Sequence, residues 1–295
     1  MNRFARACLP IVALLGTQIA GAQGGVSLTA EDPRPVAKAI GMLVARYGSV
    51  ITYEDPPYVY AGDIQDVTNQ VRKDLDKYPS GKAPKVMIPR GGKLTFSLAS
   101  TASADAVQDL RPSLDRLVRM GRETGGHFRV LESGGAFHVI PTQVRNAEGN
   151  WADTASILDR PISIPTRDRT QFELLSDFCN AVTSAGHIEV KLGLAGSTGI
   201  GADARYSFGA NNEVARDVLM RVLATIPLKT KTTWVLFYSV SDKAYYLSFL
   251  AVPNLGPKVQ APPVADMQPA TVPRTPSQGR EPDSARTLIP ESPRR

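Results

Sequence analysis

Residues 170–194 read TQFELLSDFCNAVTSAGHIEVKLGL, and this stretch sets the fold class. Thr170 and Glu173 form a capping box, in which the threonine hydroxyl and the glutamate carboxylate satisfy orphan amides reciprocally. Phe172, Leu175, Phe178, Cys179 and Val182 then recur at helical spacing, predicting a helix to about Gly186, and Ile188 to Leu194 reads as a strand. Further on, a glycine-rich loop leads to Arg205-Tyr206-Ser207-Phe208, a second strand. Asn211 or Asn212 is expected to cap a helix whose Val214, Val218 and Val222 share one face, with Leu219 beside them. Trp234 to Val240 and Ala244 to Val252 close as a hairpin. The order is helix, strand, strand, helix, strand, strand.

The same order runs through the first half. Asp32-Pro33-Arg34-Pro35 is a helix-start signal, followed by Val36, Ile40, Leu43, Val44 and Tyr47 on one stripe and by Gly48 as the stop. Ile51 to Tyr53 is a strand, Lys93 to Leu98 alternates as another, and Val107, Leu110, Leu114, Leu117 and Val118 mark a helix. Ser103 is a plausible cap for that helix, and Pro112 either kinks it or starts its main portion. Phe128 and Val130, then Phe137 and Val139, alternate about a Gly134-Gly135 turn. The reading is therefore an α+β chain of two tandem αββαββ units, each with two helices packed on a small mixed sheet. The units span 23–141, with a long insertion at 55–92, and 170–252; residues 142–169 read as a linker.

With Ile51-Thr52-Tyr53 after the first helix and Arg216 to Leu223 in the last, this pattern resembles the secretin and TonB short N-terminal domain. The resemblance covers roughly 34–141 and 170–252. It implies a periplasmic protein–protein docking module without catalytic residues. Neither a cofactor nor a metal is expected. Asp55 to Gly92 is longer than the family's turn, and a proline-rich segment stands where other members continue into a barrel. Only the docking role is carried over.

The two ends set the expected compartment. Arg3 and Arg6, the short apolar stretch Ala7–Ile19 and Ala20-Gly21-Ala22 predict a signal peptide, 1–22, cleaved after Ala22. The expected location is the periplasm or the exterior, with no transmembrane segment in the mature chain. The chain's formal charge of +6 falls to about +4 without those arginines, too little and too dispersed for nucleic acid. Pro253 to Arg295 holds ten prolines in 43 residues and few large apolar groups, predicting a disordered, partly polyproline tail. Cys179 is the one cysteine left after cleavage. No internal disulfide is possible, and its place on the helical stripe reads as a small buried side chain.

Catalytic readings find little support. Ala195-Gly196-Ser197-Thr198-Gly199 approximates a nucleophile elbow, but no histidine follows it in sequence and no helix opens there. Gly193 to Gly201 lacks the lysine ending of a phosphate loop. His127 and His138 lie opposite the apolar face of their hairpin, towards solvent or a neighbour, and His187 follows a helix end, so no metal site is expected. Glu54 with Asp55, and Asp63 with Asp66, are adjacent in sequence, which cannot by itself set two carboxyls across a cleft.

Two regions are suited to binding. The insertion opens with Tyr53, Tyr58 and Tyr60 interleaved with prolines, and its Val67, Val71 and Leu75 predict a short helix, with Lys85 to Ile88 an added edge strand. The last hairpin carries Trp234, Phe237, Tyr238, Tyr245, Tyr246 and Phe249, six of the twenty aromatics, on both faces. Its second face is covered by the first unit, a second chain or a partner adding a strand. The expected partner-binding residues are Tyr53, Tyr58, Tyr60, Trp234, Tyr238, Tyr245 and Tyr246, and the expected partner is an envelope protein. The alternatives are an enzyme or binder acting on an envelope polysaccharide through the Glu54/Asp55 region, and a structural homodimer built through the last hairpin.

Overall fold

A computed structural model describes residues 26–98, 110–122, 126–193, 204–228 and 230–255 of this mixed α+β chain. β1 (Val26–Asp32) leads into α1 (Pro35–Tyr47), which proline opens and Gly48 ends in the left-handed conformation, its N–H closing on the Val44 carbonyl. β2 (Ile51–Glu54) follows. The insertion folds as an annex in which β3 (Ile64–Asp66) and β4 (Met87–Pro89) pair antiparallel around the single turn α2 (Thr68–Val71). β5 (Gly92–Leu98) and α3 (Leu110–Gly121) come next, Pro112 standing in the first turn of α3 where its missing N–H is harmless. β6 (His127–Ser133) and β7 (Ala136–Arg145) turn through Gly134 and Gly135, both at positive φ as a tight two-residue hairpin turn demands.

β8 (Trp151–Asp153) and β9 (Pro161–Thr170) precede α4 (Gln171–Gly186), whose Thr170–Glu173 capping box forms in full. β10 (Val190–Leu192), β11 (Arg205–Val214), α5 (Ala215–Thr225), β12 (Thr232–Ser239) and β13 (Ala244–Ala251) complete the described chain. No described helix is long and apolar enough to cross a membrane.

The strands assemble into one seven-stranded sheet, ordered β10-β13-β12-β2-β7-β6 with β8 added to β7, and three two-stranded sheets, β1-β5, β9-β11 and β3-β4. Within the large sheet β2 runs parallel to β7 and β10 parallel to β13, each beside an antiparallel hairpin. The halves join where β12 pairs in parallel with β2, Val235 opposite Tyr53 and Leu236 opposite Glu54. Strand alternation then divides the core in two. Ile51, Tyr53 and Val235 pack with α1 and α3 on one face. Trp234, Leu236 and Tyr238 pack with α4 and α5 on the other.

This differs from the sequence reading in several places, β1 among them, a strand paired with β5 that the reading does not contain. The halves do not rest on separate sheets; they share one, because β2 and β12 each expose an edge to the other. The stretch read as a linker, 142–169, holds the end of β7, β8 and β9, and β9 is the partner of β11. Its Ile162, Ile164 and Arg169 are buried, but two prolines and the Arg167-Asp168-Arg169 run mask the alternation. Asn212 does not cap α5. It takes a left-handed conformation (φ 53°) at an irregularity in β11, and Val214 stands at the N-cap without a side-chain bond. Lys85–Ile88 does not extend an existing sheet, since β4 pairs within the annex. The signal segment, Ser103, the 194–203 loop and residues from 256 onward lie outside the described residues.

Candidate functional site

Glu54 and Asp55 end β2 on its carboxyl side, and alternation sends them to opposite faces. Both are buried, at 1% exposure each. The two carboxyls therefore do not face one another across a cleft.

Asp55 is the hub of one cluster. Its Oδ2 accepts Arg34 Nε at 2.5 Å and the Tyr238 backbone N–H at 3.0 Å, and its Oδ1 accepts the Tyr58 hydroxyl at 3.3 Å. Asp55 N–H gives to the Leu236 carbonyl at 2.9 Å, continuing the ladder past the end of β2. Tyr245 donates its hydroxyl to the Asp55 carbonyl at 3.4 Å. Arg34, the N-cap residue of α1, also gives a bond to the Tyr238 carbonyl at 2.8 Å, and its guanidinium lies 4.8 Å above the Phe237 ring. Burial raises the Asp55 carboxyl above its usual range, opposed by the Arg34 charge. Burial and then the Asp55 charge push the Tyr53 and Tyr58 hydroxyls well up, so both stay protonated donors.

Glu54 faces the other way, into a second cluster. Its carboxylate pairs with Arg216 of α5 and accepts the Ser156 hydroxyl. Arg216 Nη2 reaches Ser156 Oγ at 3.0 Å and Asp159 Oδ1 at 2.7 Å. Burial raises the Glu54 carboxyl, with Arg216 pulling against it. Beside this network His138 is fully buried, facing a neighbour and not solvent, because the face it points to is packed on the second half of the chain. Its Nδ1 accepts the Thr52 hydroxyl at 2.8 Å and its Nε2–H donates to the Ser133 carbonyl at 3.3 Å. Burial first, and then the nearby Arg216 charge, lower it to about 4. His127 instead stacks on Trp151 at 4.2 Å, and His187 is the left-handed C-cap of α4. Cys179 is buried, its thiol pushed by burial up to about 12.

The seven aromatic residues expected to meet a partner thus separate. Tyr53, Trp234, Tyr238 and Tyr245 are interior side chains, and Trp234 has no exposure. They build the junction between the halves. Tyr58 is half-buried at the Asp55 cluster. Tyr60 packs near Arg145, 5.7 Å from its guanidinium, and covers the base of the annex. Tyr246 is half-buried on the other side of the hairpin, its hydroxyl bonded to Asp242 at 2.9 Å.

What the surface does offer is a groove of about 570 Å³ between α1 and the β12–β13 end of the sheet. Gly41, Val44 and Ala45 form one wall, Val235 and Phe237 the floor, and Leu250 the far lip. The groove exists because α1 covers β2 and β12 but not β13, leaving Leu250 43% exposed. Arg34, Lys38 and Asp32 stand at its rim.

No family model, curated protein or solved structure matches this chain. Among the described residues, no group of three or more His, Cys, Asp or Glu stands close enough to hold a metal ion. The sequence reading passed over Arg34, Arg216, Ser156 and Asp159 as site residues. The available signal was the position of Arg216 on the flank of the Val218–Leu219–Val222 stripe, where a long cation reaches the core edge.

Proposed function

We propose that this chain is an exported, non-catalytic protein–protein docking module of the bacterial cell envelope, built from two tandem units similar to the secretin and TonB short N-terminal domain. With the annex of β3, α2 and β4 set aside, the recurring order strand, helix, strand, strand, helix, strand, strand over 26–145 and 161–251 supports the two-unit reading. Export rests on the signal-like 1–22 segment. The observation that carries the docking role is the apolar groove beside α1, which leaves Phe237 partly covered and Leu250 43% exposed beside the buried Val235. Its occupant is an apolar segment of an envelope protein with acidic flanks, matched to Arg34 and Lys38 at the rim. The Tyr58–Tyr60 edge of the annex is a second, smaller contact region.

Photocrosslinking tests this. A crosslinker at Ala45, exposed in the groove wall, should trap one envelope protein in cells, and Leu250→Glu should abolish the adduct while leaving the melting curve intact. A crosslinker at Phe172, 71% exposed on α4, should trap nothing in common with it. An adduct of twice the chain's own mass would replace this reading with the homodimer, and no adduct at Ala45 would reject the groove.

A further inference from the structure

A second cavity, of about 210 Å³, opens where the annex folds back over the start of α1. Gly91 makes this approach possible: at φ 64°, a side chain there would lie 2.2 Å from the Asp32 carbonyl oxygen. Tyr53, Tyr58 and Phe128 line the cavity together with Arg34, Arg90 and Arg145. Three guanidiniums around one small cavity is an unusual concentration of positive charge. Two are already answered: Arg34 by Asp55 at 2.5 Å and Arg145 by Asp63 at 3.0 Å. Arg90 gives one N–H to the Ile64 carbonyl at 3.3 Å and forms no ion pair among the described residues. The first turn of α1, which also lines the cavity through Pro35 and Val36, has no acidic side chain and no side-chain cap. The backbone N–H of its N-cap, Arg34, is answered by Asp32 Oδ1 at 2.8 Å.

We propose that this cavity binds a single carboxylate carried on a small apolar body, the free carboxyl end of a short peptide. Arg90 selects the anion: it is the one of the three guanidiniums with no ion pair among the described residues, and a single such fork matches a monoanion. Arg90 supplies the main charge-assisted bonds, with the planar fork that fits a carboxylate, and the Tyr58 hydroxyl lines the cavity as a neutral polar group. The aromatic lining receives the apolar body. The volume equals that of about seven liquid waters, room for one or two small residues. This site is separate from the groove beside α1, and its existence does not depend on the docking reading.

The test is a titration of the full chain at pH 7 by NMR, using N-acetyl-Ala-Ala with a free carboxyl end, the same dipeptide as its C-terminal amide, and inorganic phosphate. The free acid should bind saturably, shifting resonances of Arg90, Tyr58 and Phe128, and the amide should not. Arg90→Ala should weaken the acid by about tenfold or more, and Arg90→Lys by less. Arg90 is exposed and outside the core, so both variants should melt with the wild type, which the same samples verify. Tighter binding of phosphate than of the acid would overturn the proposal, as would equal binding by acid and amide. Equal affinity in wild type and Arg90→Ala, or no saturable binding of any probe at 10 mM, the upper limit of the titration and about 3 kcal/mol by affinity arithmetic, would also overturn it.

Discussion

Glu54 and Asp55 are adjacent residues of equal charge, both buried and both held by an arginine, yet their surroundings differ in kind. Glu54 looks into the α4/α5 side, where Arg216 is 2% exposed and Ser156 and Asp159 complete a closed network. Asp55 looks towards α1, where Arg34 keeps 20% of its side chain exposed at the wall of a cavity. One pair is sealed and structural. The other sits at a surface that a ligand can reach. The difference arises from coverage: residues around Ser156 close the first side, while on the second Gly91 packs against Asp32 and Pro33, just ahead of α1, and a cavity remains beside them.

The sharpest way to break the comparison is to remove each arginine. Arg216→Ala leaves Glu54 charged and unpaired in the interior, and should lower unfolding free energy by about 3–5 kcal/mol in urea. Replacing the pair together, as Glu54→Leu with Arg216→Met, should recover most of that loss, because two desolvated charges leave at once. A double replacement as unstable as Arg216→Ala would mean that the network, and not the lone charge, sets the effect.

His138 reports the sealed side through pH. The unfolded chain takes up this proton near 6.5 and the folded chain only near 4, so the stabilisation is full above 6.5 and falls as pH drops from 6.5 towards 4. The span corresponds to about 3 kcal/mol. The raised carboxyls Glu54 and Asp55 act in the opposite sense, since a folded state that binds the proton more tightly gains stability on acidification. The comparison must therefore be made by difference. Urea midpoints for wild type minus His138→Gln, taken at pH 7 and pH 4.5, should shrink by most of that amount; a constant difference would place the imidazolium in contact with solvent.

Arg34→Ala should do less than Arg216→Ala, about 1–3 kcal/mol, because Asp55 retains the Tyr238 amide and the Tyr58 hydroxyl, and the cavity admits water. An equal loss for the two variants would end the distinction between a sealed and an open pair.

The helical stripes, the Gly48 stop, the Gly134-Gly135 turn and the Thr170 capping box were all legible because each is a local pattern with its own physical signature. So was the order of helices and hairpins. What joins the halves was not: the pairing of Val235 with Tyr53 spans 182 residues, and nothing in a strand's own sequence names its neighbour. The aromatic residues chosen as contacts, Trp234 and Tyr53 above all, carried the right size for an interface, and they do form one, inside the chain. Size and apolarity are the same in an internal junction as in a docking surface. The site arginines were missed for the converse reason. A buried arginine looks like a surface arginine until its carboxylate partner, 21 residues away for Arg34 and 162 for Arg216, is brought beside it.

The two helix starts offer the finest form of the same contrast. α4 begins with Thr170, whose Oγ1 accepts the Glu173 amide at 3.3 Å while Glu173 Oε2 accepts the Thr170 amide at 2.7 Å. α1 begins with Arg34 and Pro35 beside the second cavity, and its N-cap residue makes no side-chain cap. Thr170→Ala should therefore cost about 1 kcal/mol, a helix-cap effect lowering the melting temperature modestly, with no change in the affinity of N-acetyl-Ala-Ala. The free dipeptide acid should in turn raise the melting temperature of wild type and Thr170→Ala by the same increment, since it acts at Arg90 and not at the α4 cap. Unequal increments would show that the two helix starts are coupled through the shared sheet.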